Sequence, residues 1–336
     1  MLEQKFEPKS VLVTGGCGFI GSNFINYIFD KWPSARIVNF DKMLRGSRSD
    51  NIEADIQESS RYSLVLEDLR HREVLLKTLL DNKIDTVVHF AAVTHVDDSY
   101  ADRVGTIGSN VMSTTNLLEV CAHDYNKLKR FVHISTDEVY GDSHELDMPK
   151  TEFSYPKPTN PYSASKAACE SILTAYQYSY NIPAVMVRMN NVYGPRQAVS
   201  KLIPKFILLA SEQMPYPLMG DGRHTRSWIY VTDCCEAIRS VTEQSKVGEI
   251  FNIGTEFEIE NIELTKAIHA EVARQQNRDE NDLVLAAVAD RPYHDRRYYI
   301  DFNKIRDNIG WSCKVFINDG LRETVQWYLQ HKEELI

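Results

Sequence analysis

Short apolar runs recur along the first half of the sequence, separated by segments long enough to form a helix. The runs are rich in β-branched residues and are apolar almost throughout. Continuous apolar strands are typical of parallel sheets, whose strands are buried on both faces. Repeated strand–helix units therefore predict an α/β fold with a doubly wound parallel sheet, the Rossmann arrangement. The predicted strands are 11–14, 36–40, 62–67, 86–90, 130–135 and 184–188.

The pattern changes after residue 195. Glycine, proline and polar residues become frequent, and helical segments are separated by loops. One apolar run, 249–253, is predicted to return to the sheet as a further strand. We therefore expect a Rossmann domain over 8–195 and a smaller, mainly substrate-binding lobe over 196–336. No internal repeat or low-complexity linker separates them, so the two lobes are expected to pack together.

A glycine-rich segment follows the first predicted strand and leads directly into a helical pattern. Gly15, Gly18 and Gly21 supply the tight turn, the close backbone approach and the helix–strand contact that a dinucleotide site needs. A pyrophosphate then lies at the helix N-terminus, where free N–H groups and the helix dipole favour negative charge. The spacing alone is a moderate signal, but its place at the first strand–helix turn favours dinucleotide binding over a structural turn.

A carboxylate 20 residues later indicates which dinucleotide binds. Asp41 lies at the end of the second predicted strand, where it accepts hydrogen bonds from ribose hydroxyls and repels a 2′-phosphate. This favours NAD over NADP. Lys42, Arg45 and Arg48 follow closely and soften the discrimination, and a loop-capping role for Asp41 is the alternative.

Composition excludes several classes of partner. The sequence has 336 residues and a formal net charge of −9, which disfavours nucleic acid and anionic membranes because both usually bind basic surfaces. The N-terminal segment lacks the apolar core of a signal peptide, and no stretch approaches the roughly 20 apolar residues of a membrane span. The six cysteines form no CxxC pair and no metal-ligand spacing was found. We expect a cytoplasmic protein with reduced thiols and no metal.

The spacing Tyr-x-x-x-Lys places a phenol and an ammonium group on one helix face, where the cation lowers the tyrosine pKa. It occurs three times, starting at Tyr27, Tyr125 and Tyr162. Only Tyr162, with Lys166, follows the fifth strand, and ligands of open α/β sheets bind at the carboxyl ends of strands. We interpret this pair as functional and the other two as solvated helix residues.

Two adjacent acids follow the fifth strand into the same cleft. Asp137 and Glu138 could form the charged first turn of a helix. Alternatively, neighbouring carboxylates in a desolvated cleft resist carrying two charges, so one pKa rises and an acid and a base coexist at neutral pH. The Tyr162–Lys166 pair nearby favours the acid–base interpretation.

These motifs resemble the extended short-chain dehydrogenase/reductase superfamily and, within it, the dTDP-glucose 4,6-dehydratases and their UDP-glucose relatives. The resemblance covers nearly the whole chain. The triplet Thr136, Asp137 and Glu138 is its specific mark, because related epimerases carry Ser or Thr there without the acidic pair. The other matching segments are 89–97, 190–197, 220–231 and 290–298.

The resemblance implies a mechanism for dehydrating a nucleoside-diphosphate glucose. Tyr162 takes the proton of the C4 hydroxyl, close to Lys166, while hydride passes from C4 to NAD. Thr136 hydrogen-bonds the C4 oxygen. Glu138 then removes the C5 proton, and protonated Asp137 donates to the C6 hydroxyl as it leaves. Hydride returns to C6, which gives a 4-keto-6-deoxy sugar without net use of NAD.

The resemblance also implies ligand contacts and a homodimer, formed through helices near 110–125 and 162–180. Guanidinium groups match phosphate oxygens in bidentate fashion, which suits a substrate diphosphate. The substrate contacts are Thr94, Asn191, Arg226, Arg291 and His294. The cofactor contacts are Gly15, Gly18, Phe19, Ile20, Gly21, Asp41, Lys42, Asp68, Leu69, Ala91, Ala92, Thr94, Asn110, Tyr162 and Lys166.

Three rival functions remain. dTDP-glucose is favoured over UDP-glucose as substrate, but thymine and uracil differ by one methyl group, which a pocket discriminates by only about 1–3 kcal/mol. A UDP-sugar 4-epimerase or UDP-glucuronate decarboxylase would use the same oxidation at C4 without needing both acids. A non-catalytic NAD-binding protein is the least favoured, because all the reactive side chains are present.

Overall fold

A computed structural model describes residues 5–144 and 146–335, and within them a seven-stranded parallel sheet forms the centre of the molecule. The strand order is β10-β6-β5-β4-β1-β2-β3. The predicted fold class is confirmed, and each predicted strand agrees with an observed one to within one residue. The strands are β1 Ser10–Thr14, β2 Arg36–Asp41, β3 Tyr62–Leu66, β4 Thr86–His89, β5 Arg130–Thr136, β6 Ala184–Met189 and β10 Ile250–Ile253.

Helices cover both faces of this sheet. The inner strands are buried at every position, polar residues included, because each face of the sheet meets a helical layer. One core lies under α1 and α8, and the opposite core lies under α3, α5 and α6. The helices are α1 Phe19–Lys31, α2 Ala54–Gln57, α3 Arg72–Asn82, α4 Val96–Ala101, α5 Arg103–Glu119, α6 Pro161–Tyr180, α7 Leu202–Ser211, α8 Val231–Gln244, α9 Asn261–Gln275, α10 Asn303–Ile309, α11 Ile317–Gln330 and α12 Lys332–Leu335.

The second half of the chain contributes to both regions of the molecule. β10 and α8 join the sheet and its core, whereas α7, α9 and α11 enclose a third core with two small sheets. That the boundary at 195/196 separates two domains stays a prediction. The small sheets contain β7 Asn191–Tyr193, β9 Thr225–Tyr230 and β11 Glu258–Glu260 in one, and β8 Tyr216–Met219 and β12 Leu285–Val288 in the other.

The topology creates a crevice at the carboxyl edge of the sheet. From β1 the chain proceeds to β2 and β3 on one side, and β4, β5, β6 and β10 then extend the sheet on the other. Crossovers that leave a sheet in opposite directions open a cleft between the strands where the order reverses, here β1 and β4. The lobe built on β7 and β9 adjoins the same edge. No helix in the described ranges is long and apolar enough to cross a membrane.

One sequence interpretation is wrong. Tyr125 was expected to be a solvated helix residue, but its side chain is 2% exposed and its hydroxyl donates to the Ile84 carbonyl oxygen at 2.6 Å. It ends a π-helical turn before β5, where the ring fills the core under the sheet. A buried phenol needs a partner for its hydroxyl, and the backbone supplies one. Tyr27, by contrast, is half-buried.

Candidate active site

A cleft of about 610 Å³ follows the carboxyl edge of the sheet and continues under the second lobe. All the predicted catalytic, cofactor-binding and substrate-binding residues line it. Residues from ten separate stretches of sequence therefore meet at one surface, as the switch in strand order predicts.

The glycine-rich turn brings backbone close to the cleft. Gly15 has φ +71°, and a Cβ atom there would lie 2.7 Å from the Ala91 backbone nitrogen. A Cβ on Gly21 would lie 2.3 Å from the Gly15 carbonyl oxygen, so only glycine lets α1 pack this close. Gly18 is the N-cap of α1 and has no capping side chain. The first-turn N–H groups of this helix are thus directed to the cleft, where an anion fits.

Asp41 lies at the end of β2, as predicted, and is 6% exposed. Its two oxygens accept the backbone N–H groups of Cys17 at 2.9 Å and Met43 at 2.7 Å. The carboxylate therefore does cap the loop, which was the alternative interpretation. Each carboxylate oxygen accepts more than one hydrogen bond, so capacity for ribose hydroxyls remains. Burial raises the pKa of Asp41, and the two N–H donors and Lys42 oppose that shift.

Lys42 is held away from Asp41 by a different carboxylate. Its Nζ lies 3.3 Å from Asp68 Oδ2 and 3.2 Å from Ser109 Oγ. Burial acts to raise the pKa of Asp68, but hydrogen bonds from Arg70 and the charge of Lys42 outweigh it and hold the pKa at about 2. Asp68 is therefore a fixed negative group in the cleft. This pairing weakens the argument that Lys42 would attract a 2′-phosphate.

Asn110 shapes the loop after β4. Its Oδ1 accepts the Val93 N–H at 2.7 Å, and its Nδ2 donates to the Val93 carbonyl at 3.1 Å and to Ser165 Oγ at 2.9 Å. The amide is 2% exposed and is fully occupied by these bonds. The side chain thus ties the loop after β4, at Val93, to α5 and α6.

Tyr162 and Lys166 lie in the first two turns of α6, both almost fully buried. Asn160 is the N-cap and Pro161 occupies the first turn, so the sequence itself places the helix start at the cleft. Burial raises the pKa of Tyr162 well above its usual value, the charges of Glu138 and Asp137 add to the increase, and the Thr136 hydroxyl opposes it. The expected lowering by lysine is not found, because Lys166 Nζ donates instead to the Ile134 carbonyl at 2.6 Å and burial lowers its own pKa.

The adjacent acids have different environments. Asp137 is 2% exposed, accepts Asn190 Nδ2 at 2.8 Å on Oδ2, and accepts the Thr136 hydroxyl at 3.3 Å on Oδ1. Burial, with a smaller contribution from the Glu138 charge, raises its pKa to about 7, although hydrogen bonds from Asn190 and Thr136 and the charge of Arg226 oppose the shift. Glu138 is half-buried and accepts Asn160 Nδ2 at 3.0 Å. One cleft therefore holds a carboxyl that keeps its proton near neutrality beside a more exposed neighbour.

A buried ion pair supports the end of β5. Arg188 on β6 contacts Glu170 on α6 at 2.7 Å, with both side chains 5% exposed. Glu170 also accepts the Ser135 hydroxyl at 2.5 Å, and Arg188 donates to the Tyr140 hydroxyl at 2.8 Å. These contacts lie on either side of the Thr136–Glu138 triplet. Removing one partner of such a pair leaves a buried charge uncompensated and is strongly destabilising.

The two predicted phosphate-binding arginines differ in availability. Arg291 is committed to Asp97 through Nε at 2.7 Å and Nη2 at 3.3 Å. Arg226 is 6% exposed, donates to the carbonyl oxygens of Thr225 and Asp295, and lies over the Tyr298 ring at 4.4 Å. No acidic side chain in the described part of the chain lies within 4.0 Å of its guanidinium. A buried cation without a carboxylate partner is suited to an anionic ligand.

Asn191 and Thr94 line the cleft, but the third predicted contact, His294, lies in a tight cluster. His294 Nδ1 lies 2.7 Å from Asp290, and its ring stacks on His224 at 3.6 Å and 13°. Burial lowers the pKa of His294 to about 4. The three side chains have metal-ligating atoms within 4.8 Å of one another, but ring lone pairs in nearly parallel planes do not converge on one ion. The geometry favours a hydrogen-bonded stack.

Several side chains in this cleft were not among the predicted site residues. Tyr298 donates to Asp295 at 2.7 Å and lies 3.3 Å from Glu138 Oε2, and Lys201 donates to the Thr94 carbonyl at 3.0 Å. Asn190 and Tyr298 belong to the matching segments 190–197 and 290–298, so the motifs contained a signal for them. Lys201 had none, because a lysine before a helix looks like a surface residue in the sequence.

Comparison with known proteins places the chain among nucleotide-sugar enzymes. The GDP-mannose 4,6 dehydratase family model matches residues 12–324. A trifunctional UDP-glucose 4,6-dehydratase/UDP-4-keto-6-deoxy-D-glucose 3,5-epimerase/UDP-4-keto-L-rhamnose-reductase of Arabidopsis thaliana is 36% identical over 99% of this chain and 49% of that protein. The chain thus spans about half the length of that relative.

Other relatives match over nearly their whole length. A dTDP-glucose 4,6-dehydratase of Neisseria gonorrhoeae is 38% identical over 96% of both chains. The crystal structure of a dTDP-glucose 4,6-dehydratase from Streptomyces venezuelae, with NAD bound, is 35% identical, covers 97% of this chain and 98% of its own, and has a TM-score of 0.89. These findings confirm the resemblance inferred from the motifs, and the chain belongs to the GDP-mannose 4,6 dehydratase family.

Proposed function

We propose that this protein is an NAD-dependent 4,6-dehydratase that converts a nucleoside-diphosphate glucose, with dTDP-glucose as first choice, to the 4-keto-6-deoxy sugar. The observation that carries the proposal is the acid pair. Buried Asp137 has a pKa of about 7, next to half-buried Glu138, in one cleft with Tyr162 and Lys166. The dTDP-glucose 4,6-dehydratases among the relatives support it.

The residues present fit NAD. The turn at Gly15 and Gly21 has no room for side chains, so a pyrophosphate can approach the first turn of α1. Asp41 and Asp68 supply carboxylates that suit ribose hydroxyls and disfavour a 2′-phosphate. When bound, NAD supplies the acceptor and donor of hydride for the sugar. Asn110 holds the neighbouring loop in shape rather than contacting the dinucleotide through its occupied amide.

Tyr162 accepts the proton of the C4 hydroxyl in this mechanism. The pKa of Tyr162 is raised by burial and by the charges of Glu138 and Asp137. Protonation of Asp137 removes one of those charges, so the state with a neutral Asp137 is also the state in which Tyr162 ionises more easily. Thr136, whose hydroxyl lies between the acids and Tyr162, hydrogen-bonds the C4 oxygen.

The acids share the elimination of water. Oxidation at C4 makes the C5 proton acidic, and Glu138, as the more exposed carboxylate, removes it. Asp137 retains a proton up to neutral pH because it is buried, and donates it to the C6 oxygen as the C5–C6 system loses water. This division of roles follows from the difference in burial between two neighbours in sequence.

The diphosphate binds at the second lobe. Arg226, a buried cation without a carboxylate partner in the described residues, is the main contact, and Asn191 and Thr94 assist. Arg291 can contact the diphosphate in two ways: it releases Asp97 and pairs with a phosphate instead, or it binds the phosphate while its ion pair with Asp97 stays intact. His294, neutral at pH 7, supplies a hydrogen bond and no charge.

The alternatives rank as follows. A UDP-glucose 4,6-dehydratase differs only in the nucleotide base and has the Arabidopsis relative in its favour. A UDP-sugar 4-epimerase or UDP-glucuronate decarboxylase needs Tyr162 but has no use for an acid held protonated at Asp137. A non-catalytic NAD-binding protein would not need the buried Arg226, which has no carboxylate partner among the described residues.

The test is incubation with dTDP-glucose and, separately, UDP-glucose, followed by product mass and proton NMR. Loss of one water with a new C6 methyl signal is expected, and the relative rates identify the nucleotide. Glu138→Gln should still reduce the bound cofactor, seen in absorbance, yet eliminate no water. Conversion of UDP-glucose to UDP-galactose without loss of water would establish the epimerase instead.

A homodimer in a cytoplasmic compartment is part of the same proposal. The α5–α6 face carries exposed apolar side chains, namely Val104, Ile107, Met112, Tyr178 and Tyr180. Patches of this kind mark protein interfaces. The cysteines are free, as suits a reducing compartment. Light scattering of Val104→Asp beside the wild-type protein tests the dimer: a monomer is expected only for the variant.

A further inference from the structure

One buried side chain contacts the proposed acid without being among the predicted site residues. Asn190 lies between β6 and β7, lines the cleft and is 3% exposed. Its Nδ2 donates to Asp137 Oδ2 at 2.8 Å. Its Oδ1 accepts the Thr255 backbone N–H at 3.2 Å, and its own backbone N–H donates to Ile253 at 3.0 Å.

These contacts fix the orientation of the amide. A backbone N–H can only donate, so the group that faces Thr255 must be the amide oxygen. Rotating the amide by 180° would place its NH2 group against the Thr255 backbone N–H, so that two donors meet, and its oxygen against the Asp137 carboxylate, so that two acceptors meet. Asp137 Oδ2 therefore always meets an N–H donor.

A donor on one carboxyl oxygen decides where an acid proton resides. The oxygen that accepts a short N–H bond serves as the carbonyl oxygen of the neutral acid, and the proton occupies the other oxygen. In Asp137 the other oxygen is Oδ1, whose contact with the Thr136 hydroxyl is longer, at 3.3 Å, and lies in the cleft. A hydroxyl can rotate to accept the acid proton, whereas the Asn190 amide N–H on Oδ2 can only donate.

We propose that Asn190 is a positioning residue that holds the proton of Asp137 on Oδ1, the oxygen beside Thr136, from which it is donated to the leaving hydroxyl. This inference rests on the proposed dehydratase function. It adds the reason why the acid releases its proton toward the substrate. It also predicts that Asn190 limits how strongly Asp137 holds that proton.

The charges around Asp137 give the sign of the effect. Glu138 is its neighbour in sequence, Arg226 faces it from β9 and Tyr162 faces it from α6. Burial raises the pKa of Asp137 and the Asn190 donor lowers it. Removing the donor should therefore move the pKa of Asp137 still higher, while the other three groups stay in place.

The experiment compares Asn190→Leu and Asn190→Asp with the wild-type holoenzyme. Rapid mixing with the sugar nucleotide separates the appearance of reduced-cofactor absorbance, which reports C4 oxidation, from its decay, which reports elimination and return. In both variants the first phase should keep its rate within a few-fold. The second phase should slow by roughly tenfold, and the alkaline limb of its pH–rate profile should move to higher pH.

Asn252→Leu is the matched control for Asn190→Leu, because Asn252 is a fully buried amide on β10, next to β6, whose side-chain hydrogen bonds go to the Tyr140 hydroxyl and to the carbonyl oxygens of Lys150 and Asp301. It should leave the alkaline limb in place. A merely structural role for Asn190 would slow both phases alike with an unchanged pH profile, and that result overturns the inference. Thermal melting and NAD binding confirm that each variant is folded.

A second readout does not need turnover. The infrared band of the protonated Asp137 carboxyl, identified by its loss in Asp137→Asn, should titrate at higher pH in Asn190→Leu than in the wild-type protein. An unshifted midpoint overturns the inference. If the wild-type protein dehydrates neither nucleotide sugar, the proposed function fails, and the infrared titration still decides whether Asn190 controls the protonation of Asp137.

Discussion

The two ends of β5 carry the same sequence spacing with different outcomes. Tyr125 precedes the strand, four residues before Lys129, and Tyr162 follows it, four residues before Lys166. Tyr125 directs its hydroxyl into the fold, to the Ile84 carbonyl, and Lys129 is exposed. Tyr162 lines the cleft and Lys166 is buried, with its ammonium group on the Ile134 carbonyl.

The Tyr-x-x-x-Lys spacing therefore does not distinguish a structural tyrosine from a reactive one. At the amino edge of the sheet the chain closes over the strand ends, and the phenol fills the core. At the carboxyl edge the strand order reverses and leaves a crevice. The location of the lysine separates the pairs as well, because only a buried ammonium group acts on its neighbour without screening by water.

The largest expected effect is that of Tyr162→Phe. Loss of the hydroxyl that accepts the C4 proton should lower the rate of C4 oxidation by about 10²–10⁴-fold. The measurement is the appearance of reduced-cofactor absorbance after mixing with substrate. Tyr125→Phe is the matched control and should keep the wild-type rate; equal losses in the two variants would contradict the comparison.

The next largest effect is expected for Lys166→Met, with Lys129→Met as its matched control. Lys166 does not lower the pKa of Tyr162 in the resting structure, where its ammonium group binds the Ile134 carbonyl. Its part in C4 oxidation is the one that the family resemblance implies, so removing the ammonium group should reduce the rate of C4 oxidation by roughly 10²-fold. The exposed Lys129 should have no measurable effect on the rate. Steady-state kinetics at several pH values measures both, and a pH optimum unchanged in Lys166→Met would argue against its electrostatic role.

The pH dependence should come from Asp137. Elimination needs the protonated acid, so activity should fall as the pH rises through about 7. Since the folded-state pKa is raised, the protein should also lose stability as the pH rises from the unfolded value near 4 to about 7. Asp137→Asn should lose elimination but should not show this decline. Melting temperatures across this range check the sign, and parallel curves for the two proteins would refute it.

The smallest effect is on stability at the amino edge. Tyr125→Phe leaves the Ile84 carbonyl without its partner and should lower the free energy of unfolding by about 1–2 kcal/mol. Urea unfolding monitored by circular dichroism measures it. Tyr27→Phe, at a half-buried site, should cost less. A larger loss of unfolding free energy in Tyr27→Phe than in Tyr125→Phe would contradict the conclusion that Tyr125 is the structural tyrosine.

Much of the site was predictable because parallel strands end at one edge. The acids, the Tyr162–Lys166 pair and the glycine turn were each placed by their position relative to a strand, and the structure brings them into one cleft. Less predictable were contacts between distant segments. Nothing in the sequence indicates that Asn160, the N-cap of α6, also donates to Glu138, or that Arg291 pairs with Asp97.

The succession of strands and helices along the chain, and the reactive side chains at the strand ends, can be read from the sequence alone. Apolar periodicity and glycine positions depend on local sterics and on burial, which a linear pattern records. The tertiary structure alone shows that Asp137 is the buried acid and that Arg226, unlike Arg291, has no carboxylate within 4.0 Å among residues 5–144 and 146–335. Burial and charge pairing arise from segments far apart in the chain, so the pKa of Asp137 and the ion pairing of the two arginines are set only once the lobes are packed.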